Sequence, residues 1–195
     1  MVSTNNTLLD NLHQELSDER IRKISGRIGA DPDRTRTAID DALPVLVGAL
    51  GAEASDPNAR PGLQRALEED HDGSLLDELD DYLDGNVSGR RADGTGIVKH
   101  AFGDRRTAAE EAVAKKSGLD MSSIGPLLTT LAPIVMSLLG RKQRQGGGGF
   151  GLDDLLGGVL GGQAGSSTQT GTRSQSQGLD DLLGSLLGGS TRSGR

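Results

Sequence analysis

The sequence contains no cysteine and no tryptophan, and it has only one tyrosine and two phenylalanines among its 195 residues. Without cysteine the chain has no disulfide, no thiolate nucleophile and no thiolate metal ligand, which fits a reducing compartment. With 2% aromatic residues, a core must be built from Leu, Ile, Val and Ala, and such a core suits packed helices better than a β-sandwich. We therefore expect an all-α protein.

Positive charge is also scarce, because the formal net charge is −7. Affinity for a phosphate backbone comes mainly from Lys and Arg, so this balance argues against nucleic-acid binding. A helix-turn-helix reader of DNA is disfavoured too, since its recognition helix would carry Asp33, Asp40 and Asp41. Residues 1–140 hold 15 basic and 24 acidic side chains, and residues 141–195 hold 6 and 4, so the acidic charge belongs to the first part.

Long apolar runs are missing as well. The first ten residues show no basic run followed by an apolar stretch, so we expect no secretory signal and a cytoplasmic protein. The most apolar segment, residues 124–139, contains Pro126 and Pro133. It falls short of the roughly 18 to 20 apolar residues that span a bilayer. We predict a core helix there and no integral membrane segment.

Apolar residues at helical spacing predict one domain at residues 1–142, a compact array of about seven to eight short helices. The expected helices are one capped by Thr7, one from Ser17 to Gly29, one from Asp31–Pro32 to Gly51, short ones at Leu63–Leu67 and Leu75–Leu83, one at Ile97–Phe102, one at Thr107–Ser117 and a last one from Asp120. We expect the stretch from Gly85 to Gly96 to be flexible.

The third and last helices repeat one pattern at a shift of 89 positions. The matched pairs are Gly29 and Gly118, Asp31 and Asp120, Pro44 and Pro133, and Gly51 and Gly140. This register predicts an internal duplication of a short helix, a glycine turn and a long helix, with two copies packed around a pseudo-twofold axis. The alternative is that any two amphipathic helices can be aligned, although periodicity alone would not match the prolines and glycines.

Residues 143–195 are rich in Gly, Ser, Thr and Gln, which predicts a disordered tail. The tail contains the motif GLDDLLG twice, at residues 151–157 and 178–184. Its leucines would form one face of a two-turn helix. They are Leu152, Leu155, Leu156, Leu179, Leu182 and Leu183. One interpretation is a pair of motifs that bind a protein partner or another copy of the chain; the other is low-complexity drift.

The densest polar cluster lies in the acidic turn at residues 68–78. As a calcium loop it would use Glu68, Asp70 and Asp72, but the twelfth position, which must supply a carboxylate, is Leu79. A simpler interpretation is a turn between helices that is left by Gly73 and capped by Ser74. Cation binding by the three carboxylates remains the alternative.

No constellation of residues requires chemistry. The three histidines, His13, His71 and His100, are far apart in sequence and lack ligand spacing, which favours surface or capping roles. No serine lies in a nucleophile elbow, and no glycine-rich stretch matches a phosphate loop. We expect a protein that is not an enzyme and that needs no cofactor or metal.

Three segments resemble a known family. Residues 66–79 with the run DHDGSLLD, residues 96–103 with the run GIVKHAFG, and residues 131–141 with the run LLGR resemble the bacterial domain-of-unknown-function family 937, which includes the YidB-like proteins. The resemblance implies an array of short helices and supplies no catalytic residues, because the family has no established activity.

Three hypotheses about function follow. The first is a bacterial protein-interaction or scaffold module that acts through its helical body and its tail motifs. The alternative is a helical domain that binds a small ligand or a cation at residues 68–78. The third is peripheral membrane contact by the tail, which its weak basicity and the aspartates of each motif disfavour.

Overall fold

The computed structural model of the chain describes residues 8–145, and within this range it confirms the all-α prediction, with no strand. The helices are α1 (Leu8–Glu15), α2 (Asp18–Ile28), α3 (Pro32–Ser55), α4 (Arg60–Glu69), α5 (Ser74–Asp77), α6 (Leu79–Asp84), α7 (Gly94–Phe102), α8 (Arg106–Ser117) and α9 (Met121–Gln145). Single 3-10 turns lie at Arg90–Ala92 and Gly103–Arg105. Their core consists of Leu, Ile, Val and Ala side chains with one tyrosine, one phenylalanine and one methionine.

Most helix ends follow from local capping chemistry. The Ser17 hydroxyl accepts the backbone N–H of Arg20 at the start of α2, and the Asp31 carboxylate accepts two N–H groups at the start of α3. Each of these bonds satisfies a backbone donor that the first helical turn leaves without a partner. Gly29 and Gly118 end α2 and α8 in the left-handed conformation, as the sequence predicts.

Three predicted boundaries are wrong. Helix α3 does not end at Gly51 but continues to Ser55, because Leu50 and Ala54 both pack into the core. Burial of these side chains outweighs the weak helix propensity of glycine, which is worth about 1 kcal/mol. The predicted helix at 75–83 is split into α5 and α6 at Glu78. Helix α7 begins at Gly94 and not at the predicted Ile97, and the Asp93 carboxylate accepts the Gly96 N–H at 2.9 Å in its first turn.

Helix α9 lies at the centre of the array. It packs against α1, α2, α3, α4, α5, α7 and α8. Between residues 123 and 140, Pro126 is exposed and Thr129 is half-buried, and every other residue is buried. By length and mean hydropathy alone α9 is apolar enough to cross a membrane, but 83% of its most apolar window is buried among the other helices. This burial fits the predicted core helix.

The register of 89 positions is visible in the helix boundaries. Helix α3 begins at Pro32 and α9 begins at Met121, while α2 ends at Ile28 and α8 ends at Ser117. The packing is reciprocal as well, because α2 contacts α9 and α8 contacts α3. Each short helix thus packs against the long helix of the other unit, which is the exchange of contacts that a twofold arrangement of duplicated units requires.

Helices α7 and α9 approach each other closely at a glycine. A Cβ atom built on Gly94 would lie 1.7 Å from the carbonyl oxygen of Thr129, so only glycine fits there. That carbonyl would normally accept the N–H of residue 133, but Pro133 has none to donate. Gly94 of α7 therefore packs against the part of α9 where Pro133 leaves the Thr129 carbonyl without its usual N–H donor. This close contact holds α7 against the central helix.

Candidate functional site

A cleft of about 490 Å³ opens between the C-terminal end of α3, helices α4 and α7, and the middle of α9. Its apolar side chains come from all four of these helices. They are Leu50, Leu63, Ala66, Ile97 and Met136. A concave apolar surface of this size, with a few polar groups at its edge, is the usual form of a small-molecule site.

Polar and charged side chains converge on the same cleft. They are Glu53 within α3, Asn58 after α3, Asp70 and His71 after α4, Arg90 and Asp93 before α7, and His100 within α7. Three of them are carboxylates and one is an arginine, so the fixed charges around the cleft are predominantly negative.

Glu53 is the most unusual of the carboxylates. Half-buried in the last turn of α3, it lies at the negative end of that helix dipole. Burial raises the pKa of the Glu53 carboxyl above its usual value, and positive charge on His100 acts in the opposite direction. A nearby cation would therefore stabilise the ionised form of Glu53.

His71 is the buried polar group of the cleft wall, with 4% of its surface exposed. Its Nδ1 atom is buried and has no hydrogen-bond partner within the described part of the chain. Burial lowers the pKa of the imidazole, although the charges of Asp70, Asp93 and Asp72 oppose this shift, so the ring is neutral at pH 7. A neutral ring carries one donor and one acceptor nitrogen, and leaving either unpaired costs about 1 to 3 kcal/mol.

The two remaining carboxylates already have partners. A guanidinium nitrogen of Arg90 lies 3.8 Å from the Asp70 carboxylate, and the Asp93 carboxylate accepts the N–H of Gly96 as the cap of α7. Glu53 differs from these two carboxylates, because its electrostatic neighbour is His100, whose positive charge would stabilise the ionised form.

The turn that carries His71 is held by the last turns of α9. A Cβ on Gly140 would lie 1.9 Å from the His71 carbonyl oxygen, so α9 contacts this turn backbone to backbone. Arg141 donates to the Gly73 carbonyl at 2.8 Å and to Asp77 Oδ1 at 2.7 Å. These contacts fix the position of the His71 ring from behind the cleft.

Two of the three carboxylates proposed for a cation share a surface depression, and the third lies elsewhere. Asp70 and Asp72 line that depression, with Asp72 3.3 Å from Arg144, whereas Glu68 is exposed beside the end of α9. Nowhere in residues 8–145 do three or more His, Asp or Glu side chains form a group able to hold a metal ion. The structure therefore does not bring Glu68, Asp70 and Asp72 together as a calcium loop would.

The cap of α5 also differs from the prediction. Ser74 is the first residue of α5, and its N–H is accepted by the Asp72 carboxylate at 2.9 Å. Gly73 supplies the left-handed backbone between them, at a φ of 97°. The Asp72 side chain accepts the N–H of the residue two positions later, which is an Asx turn, and so Asp72 caps α5 in place of Ser74.

The sequence did not reveal the cleft. His71 is buried, contrary to the surface or capping role expected for it, whereas His13 and His100 are exposed. No spacing or motif in the sequence marks Glu53, because the other residues of the cleft come from distant parts of the chain. One signal was available, since two of the three segments that carry the family resemblance contain His71 and His100, and the third contains Met136. The leucines of the two tail motifs lie outside the described residues.

Comparison with protein families agrees with these segments. Residues 10–142 match the family described as bacterial protein of unknown function, DUF937. The chain belongs to this family. The matched range contains every residue that lines the cleft and nearly all of the helical array, from the first turn of α1 almost to the end of α9. No curated protein and no solved structure matches the chain.

Proposed function

We propose that this DUF937 protein is a non-enzymatic, cytoplasmic interaction or scaffold module whose tail motifs bind a protein partner or another copy of the chain. The observation that carries the proposal is the exact repetition of GLDDLLG at residues 151–157 and 178–184. Two copies of a short apolar motif on one chain give avidity, because binding of the first raises the effective concentration of the second.

The surface of the helical body supports this division of roles. Within the described residues, Met121 is the single large hydrophobic side chain that is exposed, at 41%. Interfaces between proteins need an apolar core, and outside the cleft no other large hydrophobic side chain of the described residues is exposed enough to form one. The two motifs add six leucines to the apolar side chains of the chain.

The experiment compares the full chain with a variant in which Leu155, Leu156, Leu182 and Leu183 are changed to serine. Molar mass by light scattering over a range of concentrations reports self-association, and immobilised protein reports capture of a bacterial partner. A matched control changes four polar residues between and beside the motifs to serine, namely Gln163, Gln169, Gln175 and Gln177.

We expect the four leucine changes to abolish association and the four glutamine changes to leave it intact. Loss of self-association would make the protein a scaffold, whereas loss of partner capture from a monomeric chain would make it an adaptor. Association that survives the leucine changes would overturn the proposal.

A further inference from the structure

We infer that the cleft between α3, α4, α7 and α9 is a binding site for a small organic amine, with the ammonium group at Glu53 and an apolar body along Leu63, Ile97 and Met136. None of the residues that carry this inference belongs to the tail motifs on which the proposed function rests. It therefore adds a ligand to the helical body.

The first argument is charge. The Glu53 carboxylate is half-buried and lies in the last turn of α3, where the helix dipole is negative. Both features favour a cation at this place, because a helix C-terminus attracts positive charge and burial strengthens an ion pair. The arginine that lines the cleft is already placed against Asp70, 3.8 Å away.

The second argument is hydrogen bonding. An ammonium group offers three donors and no acceptor, so its environment should provide several acceptors. The cleft offers the Glu53 carboxylate, the exposed imidazole of His100 and the amide oxygen of Asn58. A buried polar group without a partner in a native structure calls for an explanation, and Nδ1 of the neutral His71 ring is such a group in this wall.

The third argument is size and composition. A cleft of about 490 Å³ holds a molecule of drug-fragment size. The described residues that form its apolar surface are aliphatic, so it suits an alkyl or cycloalkyl body, and among them none is a Phe, Tyr or Trp that would offer the stacked face favoured by quaternary ammonium groups. A primary amine with an aliphatic chain fits both parts of the cleft.

The test is a titration of the full chain with n-hexylamine, followed by amide chemical shifts, beside a titration with 1-hexanol, which has the same chain without the charge. We expect saturable shifts at Glu53, His71, Ile97 and His100 for the amine and weaker binding of the alcohol. The change Glu53→Gln should weaken amine binding by about tenfold or more, the loss expected for one charge-assisted hydrogen bond. It should leave hexanol binding unchanged.

The matched control is Glu68→Gln, which removes an exposed carboxylate outside the cleft and should leave amine binding as it is. Equal affinity for hexylamine and hexanol would overturn the amine assignment. Shifts that stay linear and spread over the acidic surface would overturn the site itself, since they would report only the attraction of a cation to a chain of net charge −7.

Discussion

The two long helices share a sequence register and differ in their surroundings. Helix α3 keeps a solvent face, on which Asp33, Asp40 and Pro44 are exposed, whereas α9 is enclosed over almost all of residues 123–140. The same pattern of prolines and glycines thus supports an amphipathic helix at one place and a central helix at the other. The difference shows that the helix pattern sets where each helix begins and which face is apolar, while the neighbouring helices decide how much of the remaining surface is covered.

The largest effect should come from adding a methyl group where α9 leaves no room. In Gly140→Ala the new Cβ would meet the His71 carbonyl, a backbone atom that cannot move aside alone. We expect the free energy of unfolding to fall by about 3 kcal/mol or more, as overpacking of a core does. Urea unfolding followed by circular dichroism measures it.

The control for this change lies in the other unit. Gly26 is exposed within α2, and a Cβ built on it meets nothing within 4 Å. Gly26→Ala should therefore raise the free energy of unfolding by roughly 0.5 to 1 kcal/mol through better helix propensity. Equal destabilisation by both alanine changes would contradict the contrast between the enclosed Gly140 of α9 and the exposed Gly26 of α2.

A smaller effect of opposite sign is expected at the matched prolines. Pro44→Ala on the exposed face of α3 restores a backbone N–H to the helix. The change also raises the conformational entropy of the unfolded chain, and we expect a net stabilisation of the protein by about 1 kcal/mol. Pro133→Ala removes buried ring atoms beside Gly94 and should destabilise it by about 1 kcal/mol. Thermal unfolding of the two variants checks the pair, and shifts of the melting temperature in the same direction would contradict it.

An effect of similar size is expected at a contact between α6 and α9. The Tyr82 hydroxyl donates to the Thr130 carbonyl of α9 at 3.0 Å, and burial raises the pKa of Tyr82 to about 12. Tyr82→Phe should lower the free energy of unfolding by about 1 kcal/mol, the value of one hydrogen bond. Because the folded pKa is raised, stability should also fall as the pH rises from about 10 towards 12, and this loss should vanish in the variant.

The measurement is simple because Tyr82 is the only tyrosine and the chain has no tryptophan. Ultraviolet absorbance of tyrosinate then reports this one hydroxyl, without interference from another residue. Ionisation near pH 10 in the folded protein would show that the ring is not buried against α9.

Local signals predicted the helices well and the cleft not at all. The caps at Ser17 and Asp31 and the glycine ends at Gly29 and Gly118 depend on neighbours within four residues, so the sequence reveals them. The end predicted for α3 at Gly51 was wrong, because the burial of Ala54 among other helices stabilises the helix beyond that glycine.

The cleft depends on residues that are distant in sequence. Glu53, His71 and His100 come from three different parts of the chain and share no spacing, so no local pattern links them. A surface or capping role was expected for His71 because no histidine lies at ligand spacing from another. The turn that carries it packs backbone to backbone against Gly140, a contact that no sequence window contains.

The position of α9 also has a consequence for folding during synthesis on the ribosome. Ribosomes make helices α1 to α8 first, and seven of these eight pack against the helix that is made last in the array. Until about residue 140 has been synthesised, their apolar faces lack their main partner. We expect the nascent chain to remain open to chaperones and proteases up to that point, and the whole array then to close in one late, cooperative step.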